Sequence, residues 1–189
     1  MTQQYYSTED FDSDQNNKLT ADVDELQSIE VVIEKIAERK RKITSKIQIL
    51  RPPETVWEVL TNYEALAEFI PNLTKSQRLE HPQGGIRLEQ VGQERLLKFN
   101  FNARVVIDLF EVFPKEINFQ MVEGDFKEYS GSWHLLPCFD SQSSTNLCYT
   151  LFVHPKRMMP VGIIEQRLSN GLKVNLLAIK KYIESLAQY

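Results

Sequence analysis

The side chains of this sequence that could carry chemistry are few and widely separated. His81, His134 and His154 have no second metal ligand at a suitable spacing, and Cys138 and Cys148 form neither a CxxC pair nor a zinc pattern. No GxSxG, Walker or GxGxxG motif occurs in the chain. The sequence therefore predicts no catalytic residue, no metal site and no cofactor.

Asn175 is the most suggestive polar residue, because it falls within an apolar stripe of the last segment. A buried amide without a partner costs about 1–3 kcal/mol, so this side chain must find hydrogen bonds or face a wet cavity. Two interpretations stay open: a group that faces a ligand, or an amide bonded to a carbonyl of a sheet. Gly171 in the same segment permits either close packing or a kink.

A set of aromatic and aliphatic residues could form a pocket wall around Asn175. They fall at inward positions of predicted strands or along the apolar stripe of the last segment, and ordinary core packing is the alternative for each. Arg87 or Gln90 could add a polar group from a neighbouring strand. The candidate ligand-binding residues are Asn175, Trp133, Tyr149, Tyr129, Phe101, Phe119, Leu168, Leu172 and Ile179.

Two short helices and a run of strands must position these residues. Pro52 and Pro53 set the backbone of a helix start. Helices are predicted over residues 53–60 and 63–70, and Pro71 ends the second one.

The pattern around these helices predicts an antiparallel sheet of about seven strands. Two strands are expected before the helices, over residues 31–37 and 43–50. Residues 73–80 and 85–92 flank a proline and two glycines, which predicts a hairpin. Apolar and polar residues alternate over residues 97–113, which is typical of a strand with one face in the core.

A hairpin loop is predicted at residues 141–144, and a last strand follows it. One long helix is then predicted from Val161 to Gln188. Apolar residues recur there at helical spacing, and Pro160 suits a helix start. Such a helix is roughly 40 Å long, enough to cross a curled sheet. The predicted fold class is therefore α+β, with a curved antiparallel sheet wrapped around a long C-terminal helix and a cavity between the two.

The charge of the chain is unevenly distributed. Residues 1–30 hold eight acidic residues and one lysine, which gives −7, while the remainder holds 21 basic and 18 acidic residues, which gives +3. We expect a disordered acidic tail over residues 1–29 and one domain over residues 30–189. The small positive charge does not indicate nucleic-acid binding. No apolar run could span a bilayer and no signal peptide is recognisable, so a soluble, cytoplasmic protein is expected.

Several segments resemble a known superfamily. One segment, IQILRPPETVWEVLTNYEALAEFIPNL, resembles the N-terminal part of proteins of the START-type polyketide cyclase/dehydrase and lipid-transport (SRPBCC) superfamily. Its coenzyme-Q-binding START-like branch, in the cyanobacterial and chloroplast versions, has segments that resemble PNLTKSQRLEHPQGGIRLEQVG, FQMVEGDFKEYSGSW and MPVGIIEQRLSNGLKVNLLAIKKYIE. The resemblance covers roughly residues 42–183 and implies the helix-grip fold.

Architecture and resemblance together predict binding or transport of a hydrophobic small molecule, such as a polyprenyl quinone, an isoprenoid or a lipid. Two alternatives stay open. One is an enzyme of the polyketide cyclase/dehydrase type, which needs an acid or base beside its substrate. The other is a protein-interaction module of the ribosome-associated kind. Met158, Met159 and Pro160 could guard the cavity mouth or make transient contact with a membrane surface or a partner, and ordinary packing under the helix start is the alternative.

Overall fold

The structure is a computed structural model that describes residues 23–96, 99–138 and 141–186, without the side chains of residues 94–101, 141 and 142. Helices lie before, between and after the strands of one sheet. The helices are α1 (residues 23–28), α2 (Pro53–Thr61), α3 (Leu66–Phe69) and α4 (Val161–Ser185). The strands are β1 (Val31–Lys35), β2 (Arg41–Ile49), β3 (Leu73–Leu79), β4 (Ile86–Leu96), β5 (Phe99–Val112), β6 (Glu116–Gly124), β7 (Phe126–Cys138) and β8 (Ser141–Pro155).

The eight strands form one antiparallel sheet in the order β1-β2-β8-β7-β6-β5-β4-β3. From β3 to β8 each strand pairs with the next one along the chain, because short turns connect them. The first hairpin, β1 and β2, then pairs with β8. The sheet curves around α4, which confirms the predicted α+β class and helix-grip architecture, with eight strands in place of about seven.

The helices begin where the prolines predict. Pro52 has a φ of −65° and precedes α2, and Pro160 has a φ of −63° and precedes α4. The helix predicted over residues 63–70 is shorter than expected, because residues 63–65 form a turn that places Tyr63 in the core. None of the described helices is long and apolar enough to cross a lipid bilayer.

The polar stretch at residues 141–144 is part of strand β8, which corrects the prediction of a hairpin loop there. The register between β7 and β8 shifts at this stretch, since Pro137 pairs with Thr145 but Cys138 pairs with Ser141. Thr145 is fully buried and donates a hydrogen bond of 2.7 Å to the carbonyl oxygen of Arg51. The polar Thr145 fits this buried position because a carbonyl outside the sheet accepts its hydrogen bond.

The hydrophobic core lies between the inner face of the sheet and α4. Leu176, Leu177, Ile179 and Ile183 of α4 belong to it, and one face of α4 between Ile164 and Ile179 also borders a cavity. The side chains with almost no exposure are Ile43, Ile117, Leu135 and Leu147 of the sheet and Leu176, Ile179 and Ile183 of α4.

Residues 23–29 contact the domain, although they fall in the segment predicted to be a disordered tail. Ile29 is only 3% exposed, and Leu26 packs against the core. The carboxylate of Glu25 also forms an ion pair with Lys180 of α4. The described contacts therefore begin before residue 30, whereas residues 1–22 of the predicted tail lie outside the described residues.

Candidate ligand-binding site

A cavity of about 250 Å³ lies between the inner face of the sheet and α4. The sheet forms its walls, Leu60, Leu66 and Ile70 of the α2–α3 region close one side, and α4 covers it. Alternating inward side chains of the strands supply most of this lining, as the period of a half-buried strand requires. On β5 these residues are Ala103, Val105, Ile107 and Leu109.

Eight of the nine predicted site residues line this one cavity. The sheet contributes the four aromatic side chains Phe119, Tyr129, Trp133 and Tyr149, and α4 contributes Leu168, Leu172, Asn175 and Ile179. The side chain of Phe101 lies outside the described part of the chain. That these residues bind a ligand stays a prediction.

The aromatic residues form a continuous cluster along the cavity. The ring centroids of Trp133 and Tyr149 are 4.3 Å apart, which follows from their direct pairing across β7 and β8. Phe119 joins the cluster from β6, with centroid distances of 6.1 Å to Tyr149 and 5.6 Å to Tyr129. Gly131 makes this possible, because it pairs with Phe119 and leaves space for the Phe119 ring.

The phenols of the cavity keep their protons at neutral pH. Burial raises the pKa of Tyr149 and of Tyr129. Their mutual hydrogen bond lowers the pKa of Tyr129 and raises that of Tyr149, as expected when Tyr149 donates. Burial and a 2.5 Å hydrogen bond to Glu111 raise the pKa of Tyr63 as well. These hydroxyls can therefore donate and accept hydrogen bonds but supply no ready base.

Asn175 faces the cavity and also bonds within the protein. Its Oδ1 accepts hydrogen bonds from Asn72 Nδ2 at 3.1 Å and from the Asn72 backbone N–H at 3.4 Å. Asn72 Nδ2 lies 3.5 Å from the carbonyl oxygen of Gly171. The partner is thus the turn before β3 and not a sheet carbonyl. The interpretation as an amide bonded to a sheet carbonyl is therefore wrong about the partner, and a role of Asn175 in facing a ligand stays a prediction.

The strand β4 shows which of its two polar candidates points inward. Gln90 lines the cavity, with its Nε2 donating to Ser76 Oγ at 3.2 Å. Arg87 instead pairs with Asp108, with distances of 2.6 Å and 2.8 Å, on the other face of the sheet. Arg87 and Gln90 are three positions apart, a spacing that places two side chains of a regular strand on opposite faces of the sheet.

Three polar lining residues, Asn72, Gln93 and Arg167, are absent from the sequence-based set. Arg167 lies one helical turn before Gly171 and two turns before Asn175, so a helical wheel could have found it. Asn72 and Gln93 lie beside the cavity because the backbone N–H of Gln93 donates to the carbonyl oxygen of Asn72 at 2.9 Å. No local pattern indicates that contact.

The histidines lie apart from the cavity lining. His81 Nε2 is 3.3 Å from Asp108 Oδ2, His134 is 3.9 Å from Glu116 and His154 is 3.8 Å from Glu128. Among the described residues, no group of three or more histidine, cysteine, aspartate or glutamate side chains could hold a metal ion.

Comparison with a protein-family model gives a match over residues 49–176, to the family described as polyketide cyclase / dehydrase and lipid transport. This range includes α2, α3, every strand from β3 to β8 and the first two-thirds of α4. No protein with curated annotation matches the chain.

Solved structures share the fold at low sequence identity. A START superfamily protein from Mycobacterium smegmatis is 16% identical, with a TM-score of 0.65 over 77% of this chain and 99% of that chain. The Zhui aromatase/cyclase from Streptomyces sp. R1128 is 17% identical, with a TM-score of 0.63 over 77% and 94%. A STAR-related lipid transfer protein from Xanthomonas axonopodis is 13% identical, with a TM-score of 0.59 over 82% and 99%.

Proposed function

Because this chain belongs to the polyketide cyclase / dehydrase and lipid transport family, we propose that it binds a hydrophobic small molecule in the cavity under α4. The observation that carries the proposal is a cavity of about 250 Å³ with a mainly aliphatic and aromatic lining and a few polar groups. Small-molecule sites have this composition, since apolar walls supply the binding energy and polar groups fix the orientation.

A polyprenyl quinone, an isoprenoid or a lipid is the ligand class that we propose. The cluster of Phe119, Tyr129, Trp133 and Tyr149 offers ring faces and edges to a planar or polyunsaturated group. The aliphatic residues of β5 and α4 offer a surface for a chain. The resemblance of the sequence to the coenzyme-Q-binding branch supports a quinone among these ligands.

A cyclase is the second candidate, since the relatives of similar fold include an aromatase/cyclase. Cyclisation needs a group that exchanges protons near the operating pH. Among the described residues that line the cavity there is no aspartate, glutamate, histidine, cysteine or lysine, and the pKa values of Tyr63, Tyr129 and Tyr149 are raised. These side chains support binding over proton transfer. A protein-interaction module would need no such cavity.

The loop between β8 and α4 is where such a carrier would meet a membrane. Met158 in this loop is 96% exposed and directly follows Lys156 and Arg157, and Ile163 in the first turn of α4 is 47% exposed. Apolar side chains flanked by basic ones suit the surface of an anionic bilayer. Transient membrane contact is therefore part of the proposal.

Mass spectrometry of lipids that copurify with the full chain under native conditions tests the proposal. We expect an apolar ligand in the wild-type protein. Ala103→Phe should reduce it strongly, because the ring fills a cavity-lining position. Asn102→Phe is the matched control, since residue 102 is exposed on the other face of the same strand. Wild-type protein without bound ligand, or equal ligand in Ala103→Phe, would contradict the proposal.

A further inference from the structure

We propose that the ligand of this cavity is an amphiphile with an anionic head group, which Arg167 binds. The inference rests on the proposed function and adds the chemistry of the ligand's polar end. Its basis is the single charged side chain among the described residues that line the cavity.

Arg167 reaches the cavity from the helix that covers it. Arg167, Gly171 and Asn175 are spaced four residues apart on α4, so they follow one another along the same helix face. All three line the cavity, together with Leu168 and Leu172 beside them. Gly171 has no side chain, which leaves room between the guanidinium and the amide.

The environment of Arg167 favours an acceptor with negative charge. The Nε and Nη1 atoms of Arg167 are shielded from solvent, and the surrounding lining is mainly apolar. A guanidinium removed from water gains most from an anionic acceptor, and its planar donors match a carboxylate or a phosphate. The side chain also interacts within the protein, so a head group would bind to an arginine that the protein already holds in place.

Asn175 adds a second donor on the same face. Both hydrogen bonds from Asn72 end on Asn175 Oδ1, so the acceptor of this amide is already engaged. Its Nδ2 group remains as a donor. The α4 side of the cavity thus offers N–H donors, and no described aspartate or glutamate lines the cavity to receive a cation. A cationic head group would be repelled there, and a neutral one would gain less than an anion.

The other residues that line the cavity are mainly apolar, and they determine which chemistry suits the other end of the ligand. The aromatic cluster and the inward residues of β5 face no charged partner, so they suit a hydrocarbon or ring system. A free inorganic anion would leave this surface unfilled. The ligand class is therefore a carboxylate or phosphate joined to an apolar body.

Binding of three matched probes tests the inference on the full-length protein after removal of copurified lipid. Decanoate, decanol and decylamine share one chain and differ in the charge of the head group at pH 7. We expect decanoate to bind about 10- to 100-fold more tightly than decanol, the range of a charge-assisted hydrogen bond, and decylamine to bind most weakly. Decyl phosphate should bind like decanoate. Acetate and inorganic phosphate, which lack the chain, should not compete.

Variants then assign the preference to Arg167. Arg167→Met should bring decanoate affinity down to that of decanol and leave decanol affinity within about threefold, because the Met side chain keeps the apolar volume. Arg167→Lys should retain part of the preference, because it keeps the charge without the planar fork. Lys127→Met is the control that removes one positive charge at an exposed position outside the lining, and it should keep the full preference.

The outcomes separate this inference from the proposed function. Equal binding of decanoate and decanol to wild-type protein overturns the anionic head group and leaves an apolar-ligand site standing. A preference for decanoate that survives in Arg167→Met also overturns the role of Arg167. If none of the amphiphiles binds to wild-type protein, both proposals fail. The ranking of probes on wild-type protein needs no variant, so it decides the question even if Arg167→Met does not fold.

Discussion

At the scale of the residue, Asn175 combines a structural contact with a place in the cavity wall. Its Oδ1 holds the turn before β3 through Asn72, and its Nδ2 is left as a donor. A polar residue in an apolar stripe is thus explained by a partner 103 positions away in the sequence. The same pair joins α4 to the part of the chain that precedes the central strands.

Replacement of Asn175 by Leu should lower the free energy of unfolding by about 1–3 kcal/mol, because both donors of Asn72 lose their acceptor. Urea denaturation measures this effect. Asn175→Asp retains an acceptor oxygen and should lose less. Native mass spectrometry of the Leu variant then reports ligand retention. Wild-type stability in Asn175→Leu would show that the Asn72 contact contributes nothing to the fold.

Gly131 is a second residue whose side chain size the tertiary structure dictates. An alanine Cβ at this position would lie 2.0 Å from the carbonyl oxygen of Thr150 and 2.7 Å from Cζ of Phe119. The backbone of β8 must move to accept it, so Gly131→Ala should destabilise the protein by about 1–3 kcal/mol or more. Gly162→Ala is the control, because no atom lies within 4 Å of its Cβ position. Thermal unfolding should show a lower midpoint for the first variant only.

At the scale of the element, an ion pair on the other face of the sheet connects the β3–β4 hairpin to β5. Arg87 of β4 binds both carboxylate oxygens of Asp108, and His81 of the hairpin turn lies 3.3 Å from one of them. Register agrees with this contact, since Arg87 and Asp108 are direct partners across β4 and β5. This cluster of three side chains holds β4 and β5 together. On the inner face of β4, Leu88 and Gln90 line the cavity.

The contribution of this ion pair should depend on pH. The hydrogen bonds from Arg87 lower the pKa of Asp108 below its ordinary value of 3.8. A carboxyl group with a lowered pKa in the folded state stabilises the fold above its unfolded pKa, and this contribution disappears as the pH falls through the folded value. Asp108→Asn should therefore be less stable than wild type at pH 7, with the difference shrinking at pH below 3.8.

Urea denaturation of both proteins across this pH range provides the measurement. Glu38→Gln serves as the control, because Glu38 is exposed in a turn between β1 and β2. A stability difference that stays constant from neutral to acidic pH would mean that the Asp108 charge is not what matters.

At the scale of the whole molecule, the acidic N-terminal segment differs from the rest in composition, and its described part, residues 23–29, contacts the domain. Deletion of residues 1–22 should leave the unfolding midpoint unchanged, because their polar composition predicts little buried surface. Deletion of residues 1–29 also removes Ile29, which is 3% exposed, and the ion pair of Glu25 with Lys180. Loss of one buried isoleucine costs about 1.5–3 kcal/mol.

For a chain of this size, that loss corresponds to a midpoint lower by roughly 3–12 °C. Differential scanning calorimetry of the two truncated proteins compares them directly. Equal midpoints for both would show that residues 23–29 are not part of the stable domain. A large drop after removal of residues 1–22 alone would contradict the prediction of a dispensable tail.

The sequence by itself determined most of the elements and part of the cavity wall. The prolines before α2 and α4, the hairpin of β3 and β4 and the alternation along β5 are local patterns, and local backbone preferences produce them directly. Alternation and helical spacing also say which side chains share a face. This is why eight predicted site residues lie together in the structure.

Tertiary structure alone decided which residues satisfy one another across the cavity. The inward position of Gln90 rather than Arg87 depends on how distant segments approach each other. So do the contact of Asn175 with Asn72 and the lack of space for a side chain at Gly131, whose added Cβ would lie 2.0 Å from a carbonyl oxygen. So does the burial of Ile29 inside a polar segment. Periodicity is a property of a short stretch of chain, whereas these contacts depend on the sheet's curvature and the path of α4, which no short stretch of sequence encodes.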